Sequence, residues 1–392
     1  MKNLRKIRSS KKIFIGILVS VITIVVWLAI FEIFLRLFYP QPLSPDFLPT
    51  IDRDTFSEYD SVLGWSLKPN AEGSFFSGEF NIRIKNNGQG LRINHTINPE
   101  KSKFRIAFLG DSNVWGFGVE DKNRMSEQME KMLGNIEVIN FGVSGYGTDQ
   151  YYLSLNKSVL KYDPDMVITT FYPNDLIETG NSINHGYPKP YFNMTQKGLV
   201  LTNVPVPRIA NWSDRKYPFM IKINFFLSHT SHAYVLMKPL LKKIYNDFKD
   251  PGTITPYWIE MIRVPMIKEY ENYFDLNGRI YCKMSDELKQ RNISLVVVNI
   301  PHRSYLIQKE LKTQLKDYHV SQDSIDIQRP ISLMENLSRK CGFKFIDIYQ
   351  YFRSYHDATK FYYAVDEHLN TNGHKKVAEI LAENLKGSAN LK

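Results

Sequence analysis

The hydrophobic pattern divides the chain into three kinds of stretch. Residues 13–31 run without a single charge, and at 1.5 Å per residue a helix of that length spans roughly 28 Å, close to the hydrocarbon thickness of a bilayer. Residues 80–85 alternate apolar with polar side chains and meet Asn86-Asn87-Gly88, which predicts a hairpin whose returning strand carries Leu91 and Ile93. From residue 104 onward, short apolar runs alternate with helical stripes. The runs predict strands at 104–109, 136–141, 165–171, 294–300 and 343–348. Helices are predicted near 123–133, 148–160, 281–290 and 331–340. A last helix over 371–385 has Val377, Ile380, Leu381 and Leu385 as its inner stripe. Such alternation implies a parallel five-stranded sheet with helices on both faces. Between residue 175 and about 270 the periodicity fades, and prolines and aromatics accumulate. A patternless stretch of that length predicts an insertion packed over the carboxyl edge of the sheet, as a lid, a substrate wall or an oligomerisation arm.

Composition changes this picture in two places. With 392 residues, 43% of them hydrophobic, the chain can bury a large core. The formal net charge is +10, but Lys2, Arg5, Lys6, Arg8, Lys11 and Lys12 supply six of those charges, leaving about +4 for the rest. That remainder is too small to point to a nucleic-acid partner. The same basic cluster holds the N-terminus on the cytoplasmic side of the apolar run, so everything after Pro40 is expected outside the cell membrane. No small-x-small cleavage site precedes Glu32, which favours a retained single-pass anchor over a cleaved signal peptide. Trp27, Phe34, Phe38 and Tyr39 suit the outer interface, and Glu32 and Arg36, four residues apart, can pair on one helix face. The expected organisation is a basic tail (1–12), a transmembrane anchor (13–38), a linker and small β element (40–100), and one domain (101–392) interrupted by the insertion at about 176–270. Cys282 and Cys341 are the only cysteines. They allow one disulfide in an oxidising compartment, and neither is clustered with the partners a structural zinc site needs. No metal and no cofactor is expected.

The candidate chemistry lies where the predicted strands end. The first strand runs into Gly110-Asp111-Ser112. The second ends in Asn140-Phe141-Gly142-Val143-Ser144-Gly145-Tyr146-Gly147, a turn rich in backbone N–H groups. The third ends in Tyr172-Pro173-Asn174-Asp175, and Asp366-Glu367-His368 stands just before the last helix. Taken singly, these are a loop, a packing turn, a helix cap and surface polarity. Together they supply a nucleophile, a base, a carboxylate to orient the base, and oxyanion donors, at the sheet edge where open α/β folds bind ligands.

These four blocks resemble the SGNH (GDSL-type) hydrolase superfamily over roughly residues 104–386, in its membrane-anchored bacterial form. The resemblance implies a flavodoxin-like α/β/α sandwich. It implies Ser112 as nucleophile and His368 as base. The oxyanion hole it implies is built from the Ser112 N–H, the Gly145 N–H and the Asn174 amide. Two departures stand out. Tyr172 replaces the Gly of the third block, and the acid is Asp366 in an Asp-x-His spacing where Asp-x-x-His is usual. The second departure resembles membrane-associated members that move acetyl groups onto extracellular polysaccharides. His374 also fits the motif but is expected to be structural. The reading that follows is an extracytoplasmic serine esterase that forms an acyl-Ser112 intermediate on an ester-bearing substrate, such as an acylated cell-envelope glycan. An O-acetyltransferase is the alternative, because only the acceptor differs. A non-catalytic membrane scaffold is a third reading. Tyr187, Tyr191, Phe192, Trp212, Tyr217 and Trp258 are candidates to line a sugar groove, and His302 and Arg303 to meet substrate or the insertion.

Overall fold

The computed structural model describes residues 2–41, 43, 55–77, 79–208, 219–247 and 255–386. The linker residues 44–54 and the insertion residues Trp212 and Tyr217 lie outside the described residues. Two compact units are present, Met1–Leu48 with Tyr217–Phe248, and Pro49–Lys216 with Lys249–Lys392.

In chain order, α1 (Lys2–Phe38) precedes the antiparallel pairs β1 (Ser57–Asp60) with β2 (Gly64–Leu67) and β3 (Glu72–Ser77) with β4 (Phe80–Lys85). Then follow β5 (Phe104–Leu109), the one-turn α2 (Ser112–Trp115), α3 (Met125–Leu133), β6 (Ile136–Asn140), α4 (Thr148–Ser154), β7 (Met166–Phe171) and α5 (Asp175–Gly180). The insertion holds two hairpins, β8 (Ile183–Asn184) with β9 (Tyr187–Pro188) and β10 (Tyr191–Thr195) with β11 (Gly198–Thr202). The helices α6 (Phe219–Thr230), α7 (His232–Asp247) and α8 (Tyr257–Ile262) come next. The chain closes with α9 (Lys268–Lys289), β12 (Ser294–Asn299), α10 (Arg303–Leu306), α11 (Gln308–Asp317), α12 (Arg329–Cys341), β13 (Lys344–Asp347), α13 (Tyr349–Phe352) and α14 (Thr371–Leu385).

The larger unit is an α/β/α sandwich around a parallel sheet of order β13-β12-β7-β5-β6. Its strands are nearly continuous apolar runs because both faces are covered. Ile106 and Phe108 face one core with Met125 and Met129 of α3 and Val377, Ile380, Leu381 and Leu385 of α14. Ala107 and Leu109 face the other, with Tyr151 of α4 and Ile280, Tyr281, Met284 and Leu288 of α9. The small β element joins this second core through Phe56, Trp65, Phe75 and Ile82. Cys282 on α9 and Cys341 on α12 form a disulfide.

Three expectations need correction. The strand β4 pairs backward with β3, Phe75 opposite Ile82, instead of forward across Asn86-Asn87-Gly88. The Asn87 side chain accepts from the Gln89 and Leu91 N–H groups, and the Asn86 amide donates to the carbonyls of Phe56 and Lys68. The asparagines thus bind backbone locally and hold residues 86–93 as a loop. The predicted 148–160 helix is α-helical only to Ser154, then opens into a π turn (Leu155–Val159) and a 3-10 turn (Leu160–Tyr162). The helix expected from residue 281 begins thirteen residues earlier, at Lys268.

In the smaller unit, Leu18–Phe38 of α1 is long and apolar enough to cross a membrane. The middle of the insertion, α6 and α7, belongs to this unit, whereas its flanks belong to the larger one. One of those flanks holds a buried cation. The Lys189 ammonium, fully enclosed, pairs with the Asp149 carboxylate at the start of α4 and donates to the Glu178 carbonyl. Burial outweighs even this partner and pushes the Asp149 carboxyl up to about 6. Lys189→Met strands that carboxyl, and breaking a buried pair on one side costs about 3 kcal/mol or more. Urea denaturation should register that loss, and Lys189→Met with Asp149→Leu should recover most of it.

Candidate active site

Ser112 is the first residue of α2, at the carboxyl end of the interior strand β5. The Asp111 side chain caps that turn by accepting from the Asn113 N–H at 2.9 Å, and burial holds the Asp111 carboxyl above its ordinary range. The neighbouring strands β6 and β7 carry the other blocks, so Gly145 and Asn174 follow strands that flank β5 directly. The loops after β5 and β6 are tied together: the Val143 N–H donates to the Gly110 carbonyl at 3.0 Å. Gly142 is required there, since a Cβ would meet the Trp115 backbone nitrogen at 2.3 Å. Gly145 adopts φ +76°, a left-handed conformation that glycine takes without penalty. The small β element braces the same turn: the Trp65 indole donates to the Ser144 carbonyl (3.2 Å), and the Tyr146 hydroxyl to the Trp65 carbonyl (2.5 Å). Asn184 of the insertion donates to the Gly145 carbonyl at 2.7 Å.

Tyr172 stands where a Gly was expected and is not among the positive-φ residues, so this backbone makes no demand for glycine. Its N–H donates to the Asp175 carboxyl at 2.8 Å, and the Tyr151 hydroxyl donates to the other oxygen at 2.8 Å. Burial raises the Asp175 carboxyl well above the usual range. Asn174 begins α5, and its buried amide oxygen has no hydrogen-bond partner.

The structure brings three of the expected residues into hydrogen-bond reach. Ser112 Oγ lies 2.8 Å from His368 Nε2, and His368 Nδ1 lies 2.5 Å from Asp366 Oδ1. A carboxylate only accepts, so the proton sits on Nδ1 and leaves Nε2 to accept from the serine hydroxyl. The Asp-x-His spacing closes because Glu367 between them adopts φ +70°. Burial pushes the Asp366 carboxyl up. The adjacent His368 ring and its hydrogen bonds outweigh that and hold it below the ordinary carboxylate range.

Four supports of this loop carry no sequence motif. The Glu79 carboxylate, at the β3–β4 turn, accepts from the Ala364, Val365 and Asp366 N–H groups at 2.6, 3.0 and 2.8 Å. Phe117 stacks on the His368 ring with centroids 4.3 Å apart, held between two glycines with positive φ, Gly116 and Gly118. That Gly-Phe-Gly spacing was one available signal, and the place of His302 and Arg303 just past β12 was the other. Arg303 donates to the Tyr363 carbonyl at 2.9 Å and also to the Ala364 carbonyl. His302, buried, stacks on Trp258 (4.8 Å, 5°) and sets Nε2 3.3 Å from the Glu367 carboxylate. His374 lies inside α14, where its Nδ1 accepts from the Met125 N–H at 3.2 Å. Among the described residues no group of three or more His, Cys, Asp or Glu side chains converges to hold a metal ion.

Residues 271–392, which carry Arg303, Asp366 and His368, match the family described as SGNH hydrolase-like domain, acetyltransferase AlgX. Comparison with curated protein sequences gives no match. Among solved structures the chain is similar to a lipase/acylhydrolase from Enterococcus faecalis, at 13% identity and a TM-score of 0.37, covering 72% of this chain and 95% of that one. It is also similar to the acetyl xylan esterase AlAXEase, at 14% identity and a TM-score of 0.38, covering 72% and 99%. A member of the lipolytic G-D-S-L family from Veillonella parvula DSM 2008 is similar at 10% identity and a TM-score of 0.37, covering 72% and 98%. The matched residues 271–392 lie within the larger unit, and Leu18–Phe38 of α1 is long and apolar enough to cross a membrane.

Burial, with Arg124 and Arg92 nearby, pushes His374 down to about 3. Its folded value lies below its unfolded value near 6.5, so its contribution is complete above pH 6.5 and is lost as pH falls toward 3. Lowering the pH from 7 to 4.5 should cost the wild type about 2–3 kcal/mol more than His374→Gln, read from denaturation midpoints at each pH.

Proposed function

We propose that the chain is a membrane-tethered, extracytoplasmic serine enzyme that transfers an acyl group from an ester through an acyl-Ser112 intermediate. The observation that carries this reading is the continuous relay Ser112–His368–Asp366 at the carboxyl edge of the sheet. In this reading His368 Nε2 takes the Ser112 proton as Oγ attacks the ester carbonyl, and Asp366 stabilises the imidazolium that forms. The Ser112 N–H, the Gly145 N–H and the Asn174 amide receive the developing oxyanion. The intermediate collapses, the C–O bond to the leaving alcohol breaks, and His368 returns the proton to that alcohol. An acceptor hydroxyl then gives its proton to His368 and attacks the acyl-serine, restoring the free enzyme.

Water as acceptor makes an esterase; a sugar hydroxyl makes an O-acyltransferase. The match of residues 271–392 to a family described by an acetyltransferase supports transfer over hydrolysis, and the Asp366-x-His368 spacing, which resembles members that acetylate extracellular polysaccharides, supports such a glycan as the acceptor class. Incubation with an acetyl donor and bare glycan should give acetylated glycan. Release of free acetate alone, at a rate unaffected by glycan, would assign the esterase reading instead.

Ser112→Ala should abolish covalent labelling by a fluorophosphonate probe. Removing one oxyanion donor, Asn174→Ala, should lower turnover by about 10²- to 10³-fold. Glu79→Ala frees the backbone before Asp366 and should slow labelling by about 10- to 100-fold through misplacement of His368, with the circular dichroism spectrum unchanged.

A further inference from the structure

The contacts between α1 and the helical pair α6–α7 place charged groups of the apolar helix against a helix terminus. The Glu32 carboxylate accepts from the Ser231 hydroxyl and from the His232 and Ala233 N–H groups at 2.9, 3.0 and 2.9 Å, so it caps α7. Arg36 pairs with Glu32 at 2.8 Å and donates to the Thr230 carbonyl at the end of α6 at 2.7 Å. Leu35 beside them is 2% exposed. A charged pair within a membrane-spanning stretch is expensive unless it is partnered, and here the helix junction supplies the partners. Ala233, Tyr234, Met237 and Leu241 share a cleft with Leu28, so α7 runs back along α1 toward its more apolar part.

Other apolar side chains of this pair stand uncovered among the described residues. Phe226 on α6 and Leu236, Leu240 and Ile244 on α7 are all exposed, Phe226 and Leu240 by 56% and 55%. In water such a cluster is an unsatisfied interaction surface. It belongs to the same unit as the exposed apolar flank of α1, which carries Val21, Ile24, Leu28 and Ile33. Lys238 on α7 is exposed too, its ammonium within reach of Ser228 Oγ at 3.0 Å, as a cation at an interfacial helix would be. We propose that α6 and α7 form a helical hairpin embedded in the outer leaflet of the bilayer, clamped to α1 by Glu32 and Arg36, so that this part of the insertion is a second membrane-contacting element. This rests on the reading of α1 as a membrane anchor.

The test reconstitutes the full chain in phosphatidylcholine/phosphatidylglycerol vesicles. Single cysteines at Leu240→Cys, Ile244→Cys, Val25→Cys and Lys312→Cys carry an environment-sensitive nitrobenzoxadiazole label, in variants whose circular dichroism matches wild type. Labels at 240 and 244 should emit to the blue of the label at 312. A nitroxide-bearing lipid should quench them as strongly as it quenches the label at 25, and aqueous iodide should leave them unchanged. Quenching at 25 with iodide access at 240 and 244 would overturn the proposal while keeping the anchor. Protection of 240 and 244 from both quenchers would overturn it in favour of a protein partner. No lipid quenching at 25 would remove the anchor on which it rests.

Discussion

The hydrogen bond between Ser112 Oγ and His368 Nε2, 2.8 Å long, joins side chains 256 residues apart, and every other feature of the site bears on whether that distance can be held. The serine side is fixed by the sheet: β5 lies between β6 and β7, and the capped turn at Asp111 sets where Oγ points. The histidine side has no strand beneath it. It sits on a loop, and loops hold position only where their backbone groups find partners. Glu79 takes three of those N–H groups, Arg303 takes two carbonyls, and Phe117 covers the ring. Downstream, the Asn370 side chain accepts from the Asn372 and Gly373 N–H groups and so starts α14 immediately after the histidine. Preorganisation of this kind lets a proton move in the transition state without reorganising the protein.

The division between legible and illegible features follows from range. Strands such as 104–109 were readable because burial on both faces leaves an apolar run that does not depend on context. The Gly110-Asp111-Ser112 turn, the glycine-rich turn after β6 and the Asp-x-His loop were readable because each is a short local motif. Glu79 was not: nothing in Ser77-Gly78-Glu79 signals contact with a loop some 285 residues away, and only the folded β element brings it there. The failed hairpin at 86–93 has the same origin. The sequence Asn86-Asn87-Gly88 has the composition of a turn, but the asparagine side chains bind backbone in place of a returning strand, and β3 already occupies the edge of β4. The Tyr-for-Gly substitution at 172 and the shortened Asp-x-His spacing were departures from pattern in sequence. In three dimensions the first makes no steric demand and the second is closed by the left-handed conformation of Glu367.

The insertion was opaque to periodicity because it serves two different surroundings. Its first part packs within the larger unit, through Asn184 on the Gly145 carbonyl and the buried Lys189–Asp149 pair at the start of α4. Its helical middle leaves several apolar side chains exposed among the described residues and groups with α1. A segment divided in this way shows neither the single-faced stripe of a core helix nor the alternation of a strand. One chain thus places Ser112, His368 and Asp366 together at a sheet edge and its apolar surplus in a second compact unit.

The central claim is that Ser112 carries the acyl group. Intact mass and peptide mapping of the protein after brief exposure to p-nitrophenyl acetate, quenched in acid, test it most directly. The account predicts one added acetyl group, confined to the peptide containing Ser112 and absent when His368 is replaced by alanine. An acetyl group mapped to any other residue, or turnover of the ester with no acetyl on the Ser112 peptide under acid quench, would contradict it.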